Sequence, residues 1–144
     1  MKVLPWKTPF SEKSFPSILL APSLETANAV DLIIFPGGDR DQYPAFVVHF
    51  DSVPAYRSYY EGMAPNSLPL LSANGTKCAF IIEDSPWKSE FESAIGYIET
   101  SFGRPFSELQ HFVVLGGDSV VEVLSYNPTF EEINESRLIC EIRV

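Results

Sequence analysis

Histidine and cysteine, the side chains that most often build catalytic and metal sites, are scarce in this sequence. It contains two cysteines, Cys78 and Cys140, and two histidines, His49 and His111. Two cysteines allow one disulfide bridge and exclude a disulfide framework. Both lie in predicted strands, where a buried thiol behaves as a small apolar side chain, so we expect both thiols to be reduced and structural.

Positive charge is also scarce. The chain has 10 lysines and arginines against 19 aspartates and glutamates, which gives a net charge of −9. Because a nucleic-acid-binding surface needs clustered cations to neutralise phosphates, this balance argues against a nucleic-acid partner. An acidic surface attracts basic surfaces, so we expect a protein partner, if there is one, to present a basic surface.

Long apolar runs are missing as well. The longest runs from Cys78 to Ile82, whereas a membrane-spanning helix needs about 20 apolar residues. The first apolar run, Ile18 to Ala21, is shorter than the roughly 7 to 15 residues of a secretory signal. We therefore expect no membrane association and a cytoplasmic location.

The composition that remains is that of a folded domain. Hydrophobic residues make up 45% of the 144 residues and charged residues 20%, as in ordinary globular domains. We predict a single α+β domain over residues 1–144. In residues 1–16 prolines are interspersed with aromatic residues, a pattern that forbids a regular helix and predicts an extended N-terminal arm.

Short apolar and β-branched runs predict a largely antiparallel β-sheet. Turn residues at Asn74-Gly75 and at Gly116-Gly117 predict two β-hairpins. The predicted strands cover residues 17–21, 31–35, 45–50, 68–72, 76–82, 111–115, 119–126 and 138–144.

One long amphipathic helix is predicted over about residues 85–102, packed on the sheet. Ser85 is a suitable N-cap, and Pro86 fits the first helical position. Apolar residues then recur at helical spacing, at Trp87, Phe91, Ile95, Ile98 and Phe102. A short helix is predicted over residues 54–63, and helical turns over residues 22–29 and at the capping box 129–132.

Tyr56, Arg57, Tyr59 and Tyr60 are the candidate binding residues. Tyrosine and arginine are enriched among the residues that dominate protein–protein binding energy. On the predicted helix the three tyrosines share one face, so the alternative is that their rings cover the sheet and that Arg57 with Glu61 reaches water.

The sequence carries no catalytic, metal-binding, nucleotide-binding or nucleic-acid-binding motif, and we expect no cofactor and no metal. The leading hypothesis is a small non-enzymatic protein-binding module of the accessory, inhibitory or immunity type. One alternative is a small-molecule-binding domain with its pocket between sheet and helix. Another is a small enzyme in which Cys78 or His49 is reactive. The oligomeric state and the substrate stay open.

Overall fold

The architecture is two antiparallel β-sheets with a few short helices. The computed structural model describes residues 1–11, 16–23, 28–39, 42–60, 78–117 and 119–134. The five-stranded sheet has the order β1 (Lys2–Pro5), β6 (Ala79–Glu83), β7 (Gln110–Leu115), β8 (Ser119–Ser125) and β5 (Ala55–Tyr60). The four-stranded sheet has the order β2 (Ser17–Pro22), β3 (Val30–Phe35), β4 (Ala45–Phe50) and β9 (Thr129–Ile133).

The two sheets share one apolar core. Alternate residues of a strand point to opposite faces of its sheet, and Leu32 and Val48 of the four-stranded sheet join Phe112 and Val121 of the five-stranded sheet in a single buried cluster. Two sheets that bury their inner faces against each other form a β-sandwich. The predicted antiparallel pairing is therefore confirmed, but the single sheet with helices on one face is replaced by two sheets and a mostly β fold.

The N-terminal segment belongs to the sandwich. Residues 2–5 form β1, which pairs antiparallel with β6. The rings of Trp6 and Phe10 are buried in the core, and the Trp6 ring centroid lies 4.7 Å from that of Phe112. Trp6 and Phe10 thus fix this segment to the domain, and residues 12–15 of the predicted arm lie outside the described residues.

The predicted continuous helix over residues 85–102 is wrong, because the segment is broken into shorter pieces. These are α1 (Pro86–Ser89), a 3₁₀ turn (Glu92–Ala94) and α2 (Ile95–Phe102). Of the predicted apolar stripe, only Ile98 is fully buried. The other members are half-buried over the outer face of the five-stranded sheet.

Local hydrogen bonding explains the break. The N–H and the hydroxyl of Ser89 both donate to the carbonyl of Ser85, each at 3.1 Å, so the helical bond is still made at Ser89. The next amides bond three residues back: Phe91 N–H donates to Lys88 O at 3.0 Å. This is 3₁₀ geometry, which is seldom sustained beyond a few residues. Both predicted ends are correct, since Ser85 caps α1 and Gly103 stops α2 with φ of 68°.

Two further helical predictions are wrong. Residues 55–60 form strand β5, which pairs with the valine-rich β8, and residues 129–133 form strand β9, which pairs with β4. In both segments the local helical signal is overridden by pairing with a distant strand.

Other predicted strands are confirmed by β2, β3, β4, β7 and β8. The strand 68–72, the hairpin turn at Asn74-Gly75, the strand 138–144 and residues 24–27 of the predicted turn 22–29 lie outside the described residues, as does Cys140. Within the described part of the chain, no helix is long and apolar enough to cross a bilayer.

Candidate functional site

The four predicted binding residues divide between the two faces of β5. Tyr56 and Tyr60 point to one face, where they are 42% and 69% exposed. Arg57 and Tyr59 point to the other face and are half-buried. The period of two along a strand, rather than the helical period, therefore decides which of the four residues meet solvent.

Arg57 and Tyr59 converge on a buried carboxylate, Glu122 of β8. Arg57 lies directly opposite Glu122 in the strand register. Its Nε is 2.8 Å from Oε2 and its Nη2 is 3.0 Å from Oε1. The Tyr59 hydroxyl donates to Oε2. A two-point contact of this kind matches the planar guanidinium to the planar carboxylate.

His111 of β7 extends this network to the short helices between residues 86 and 108, which we call the helical layer. Its Nε2 lies 2.7 Å from Oε1 of Glu122, and its Nδ1 lies 2.7 Å from the Oγ of Ser85. Trp87 of α1 covers the network, with its ring 5.1 Å from the His111 ring and 4.2 Å from the Arg57 guanidinium. Ser85, His111 and Glu122 thus form one line of hydrogen bonds under an aromatic cover.

The charge of Glu122 is compensated within this network. Burial alone raises the pKa of Glu122, but hydrogen bonds from His111, Arg57 and Tyr59, together with the charge of Arg57, outweigh burial and lower this pKa to about 2. Burial, and then the hydrogen bond to Glu122, raise the pKa of Tyr59. At neutral pH Glu122 is therefore a carboxylate and Tyr59 a neutral donor.

Sequence reasoning missed Glu122 and His111 as members of a site. A signal was present, because Glu122 interrupts the run Val120-Val121-Glu122-Val123-Leu124. Strand alternation places Glu122 on the same face as Val120 and Leu124, where an unpaired charge is costly. A glutamate in this position therefore indicates a side chain of opposite charge on a neighbouring strand.

A pocket of about 440 Å³ opens where β6 meets the helical layer. Its wall includes Ser85, Lys88, Glu83, Asp84 and Phe106. The Lys88 ammonium lies 4.9 Å from the Phe106 ring centroid, and partial burial lowers the pKa of Lys88. This pocket lies between sheet and helix, the place expected for a small-molecule site, and that alternative stays a prediction.

His49 belongs to a separate cluster on the four-stranded sheet. Its Nδ1 is 2.8 Å from Asp31 Oδ1 and its Nε2 is 2.9 Å from Glu131 Oε2. Partial burial alone would lower the pKa of His49, but the hydrogen bonds and charges of Glu131 and Asp31 outweigh it and raise this pKa. The cluster links β3, β4 and β9.

The predicted alternative of a thiol activated by histidine stays a prediction, and the contacts of the described thiol and imidazoles bear on it. Cys78 is buried, and its thiol donates to the carbonyl of Phe10 at 3.2 Å. Both ring nitrogens of His49 and both of His111 are within hydrogen-bond distance of other side chains. Cys78 therefore lies among the core residues, and the absence of a role for its thiol stays a prediction.

Among the described histidines, cysteines and carboxylates, no group of three has an arrangement that could hold a metal ion. The exposed tyrosines of β5 and the network around Glu122 are the two features of the described residues that bear on function. Comparison of the chain with protein-family models, with curated proteins and with solved structures finds no match.

Proposed function

We propose that this chain is a protein-binding module that contacts its partner through strand β5. The observation that carries the proposal is the exposure of two tyrosines, Tyr56 and Tyr60, on one face of this strand. Tyrosine combines a large apolar ring with a hydroxyl, and it loses little conformational entropy on binding. Such residues supply much of the binding energy in protein interfaces.

The position of β5 supports the proposal. Among the described strands β5 has a single neighbour, β8, so it lies at an edge of the five-stranded sheet. An edge strand presents backbone donors and acceptors to which a partner segment can add as a further strand. Backbone pairing would supply affinity, and contacts with Tyr56 and Tyr60 would supply specificity.

The network behind β5 makes the strand a rigid surface. Arg57 and Tyr59 alternate with the exposed tyrosines and hold β5 to Glu122. A surface that is already ordered loses less entropy when it binds. In this proposal the half-buried Arg57 and Tyr59 hold the strand in place, and the exposed Tyr56 and Tyr60 contact the partner.

The helical layer covers the face of β5 opposite Tyr56 and Tyr60, and its net negative charge favours a basic partner at this edge. Glu90 lines a hollow beside Arg57 and Trp87. From the end of β6 to the start of β7 the exposed carboxylates outnumber the cations. The cations are Lys88 and Arg104, and both are half-buried. The exposed carboxylates are those of Glu83, Asp84, Glu90, Glu92, Glu99 and Glu108. Complementary charge of this kind increases association rates and disfavours acidic partners.

Affinity capture from the source cell with matched variants tests the proposal. We expect the wild-type protein to retain a partner that Tyr60→Ala and Tyr56→Ala lose. Tyr97→Ala is the control, because Tyr97 is 79% exposed on α2 and lies outside the proposed surface. With the purified partner, titration calorimetry should show a loss of about 2 kcal/mol or more for Tyr60→Ala, which is roughly 30-fold.

Two results would reject the proposal. One is unchanged partner affinity in a folded double variant that carries Tyr56→Ala and Tyr60→Ala. The other is an equal loss in Tyr97→Ala, which would place the contact on the helical layer. A basic partner also predicts that raising the salt concentration slows association.

A further inference from the structure

The line of hydrogen bonds through Ser85, His111 and Glu122 has the connectivity of a nucleophile, a base and a carboxylate. The Ser85 Oγ lies 2.7 Å from His111 Nδ1, and His111 Nε2 lies 2.7 Å from Glu122 Oε1. A hydroxyl is activated as a nucleophile when a base within hydrogen-bond reach is itself oriented by a third group. The question is whether the protons, the lone pairs and the access to Ser85 fit that role.

The proton positions follow from Glu122. Glu122 is ionised, so it accepts hydrogen bonds only, and His111 Nε2 must carry the proton that it donates. A neutral imidazole with its proton on Nε2 has a lone pair on Nδ1. When His111 is in this neutral form, the Ser85 hydroxyl donates to Nδ1, which is the direction that proton removal by a general base requires.

The cap at the start of α1 leaves Ser85 able to react. A serine oxygen has one proton and two lone pairs. Its proton goes to His111, and one lone pair accepts the amide of Lys88 at 3.0 Å. The second lone pair stays available to attack an electrophile.

Ser85 is 3% exposed and forms part of the wall of the 440 Å³ pocket, from which a ligand would reach it. The preceding residue, Asp84, lies in the strand-to-helix turn with φ of 51°, a left-handed conformation that aspartate adopts more readily than most residues other than glycine. A pocket of this volume accommodates a small organic molecule.

We propose that Ser85 is a nucleophile that hydrolyses small carboxylic esters entering this pocket, with His111 as its general base. The activity is independent of the protein contact assigned to β5. Glu122 acts as a positioning residue, because it sets the proton of His111 and touches no reacting atom.

The reaction balances as an ester hydrolysis. The Ser85 Oγ bonds to the carbonyl carbon while its proton passes to His111 Nδ1. When the tetrahedral adduct collapses, the bond to the alcohol oxygen breaks, and the alcohol leaves with that proton. Water then attacks the acyl-serine and gives a proton to Nδ1. Release of the carboxylic acid breaks the acyl bond, and Nδ1 returns the proton to Oγ.

A biotin-tagged fluorophosphonate and 4-nitrophenyl acetate are the probes for the test. The fluorophosphonate forms an O–P bond to an activated serine and loses fluoride, and mass spectrometry of the digested wild-type protein should place the label on Ser85. His111→Gln should slow both labelling and ester hydrolysis by at least about 100-fold, as expected when a general base is removed. Ser101→Ala changes an exposed serine of α2 and should label at the wild-type rate.

Absence of label on Ser85 in the folded wild-type protein overturns the proposal. So does equally fast labelling of folded His111→Gln, because that result would leave Ser85 without its base. If His111→Gln does not fold, the position of the label in the wild-type protein decides alone, since the wild type carries no substitution. A label on another serine also overturns the proposal.

Discussion

At the scale of single residues, a carboxylate in the middle of a valine-rich strand is stable only when its charge and its lone pairs are matched. Glu122 meets this condition through Arg57, Tyr59 and His111, which come from the strands on either side of β8. Removal of one member of such a set leaves the others buried without their partner, and that loss exceeds the net value of the interaction.

Glu122→Gln is predicted to destabilise the fold by about 3 kcal/mol, the lower end of the range for breaking a buried pair, since Arg57 keeps some access to water. The change preserves the shape of the side chain and removes its charge. Glu92→Gln, at an exposed position, is the control and should change stability by no more than about 0.5 kcal/mol. Urea unfolding measures both, and equal midpoints would show that the network contributes little.

The thiol of Cys78 is predicted to be inert while the protein is folded. It is buried and donates to a backbone carbonyl, and a thiol in apolar surroundings has little thiolate character. In a protein carrying Cys140→Ser, a thiol-specific chromogenic reagent should react with Cys78 only after unfolding by denaturant. Fast reaction at neutral pH without denaturant would restore the hypothesis of a reactive cysteine.

At the scale of elements, local sequence patterns correctly predicted the strands that are uniformly apolar. They gave the wrong element where the same residues fit both the helical period of 3.6 and the strand period of 2. The run Ala55-Tyr-Arg-Ser-Tyr-Tyr60 fits one helical face and also fits an alternating strand. Its pairing with β8 decides between them, and that partner lies 65 residues away at the Arg57–Glu122 pair. A contact so distant in sequence has no local signal.

Contacts between residues distant in sequence also limited the prediction of the candidate site. The exposed tyrosines and Arg57 were found by residue type alone, whereas Ser85, His111 and Glu122 become neighbours only after β7 has paired with β8 and α1 has folded over the sheet. Ser85 was predicted as a helix cap, and it is one. Its second bond, to His111, depends on the tertiary fold.

In the helical layer, alanine substitution should cost more stability at a buried position than at a half-buried one. Ile98 is the member of the apolar stripe that is fully buried, whereas Ile95 is half-buried. Ile98→Ala should cost about 2 to 4 kcal/mol, because it removes a buried side chain from its apolar contacts. Ile95→Ala should cost about 1 kcal/mol, roughly the value of partial burial. Thermal unfolding compares the two, and a larger cost at Ile95 would contradict the described packing.

At the scale of the whole molecule, two ionisable clusters should give stability an optimum in mildly acidic solution. The pKa of Glu122 falls from 4.5 in the unfolded chain to about 2 in the folded one. Its contribution is therefore complete above about pH 4.5 and is lost as the pH falls towards 2. The pKa of His49 is raised above its unfolded value of 6.5, so its contribution is complete below pH 6.5 and is lost as the pH rises through the folded value.

His49→Gln isolates the second of these effects. The wild-type free energy of unfolding should fall as the pH rises above 6.5, by up to about 1 kcal/mol for a partly exposed ion pair. The variant should be flatter over the same range because it has no imidazole at this position. Chemical unfolding at several pH values measures both curves. Parallel curves would show that the contacts with Asp31 and Glu131 are too weak to affect stability.

The most direct test of the protein-binding account is site-specific photocrosslinking in the source cell. A benzophenone amino acid in place of Tyr60 keeps an aromatic side chain on the exposed face of β5, and the same replacement of Tyr97 on α2 provides the matched control. The account predicts a discrete crosslinked protein with a basic surface from position 60 and none from position 97. A folded protein that gives no crosslink at position 60, or the same crosslinks at both positions, would contradict it.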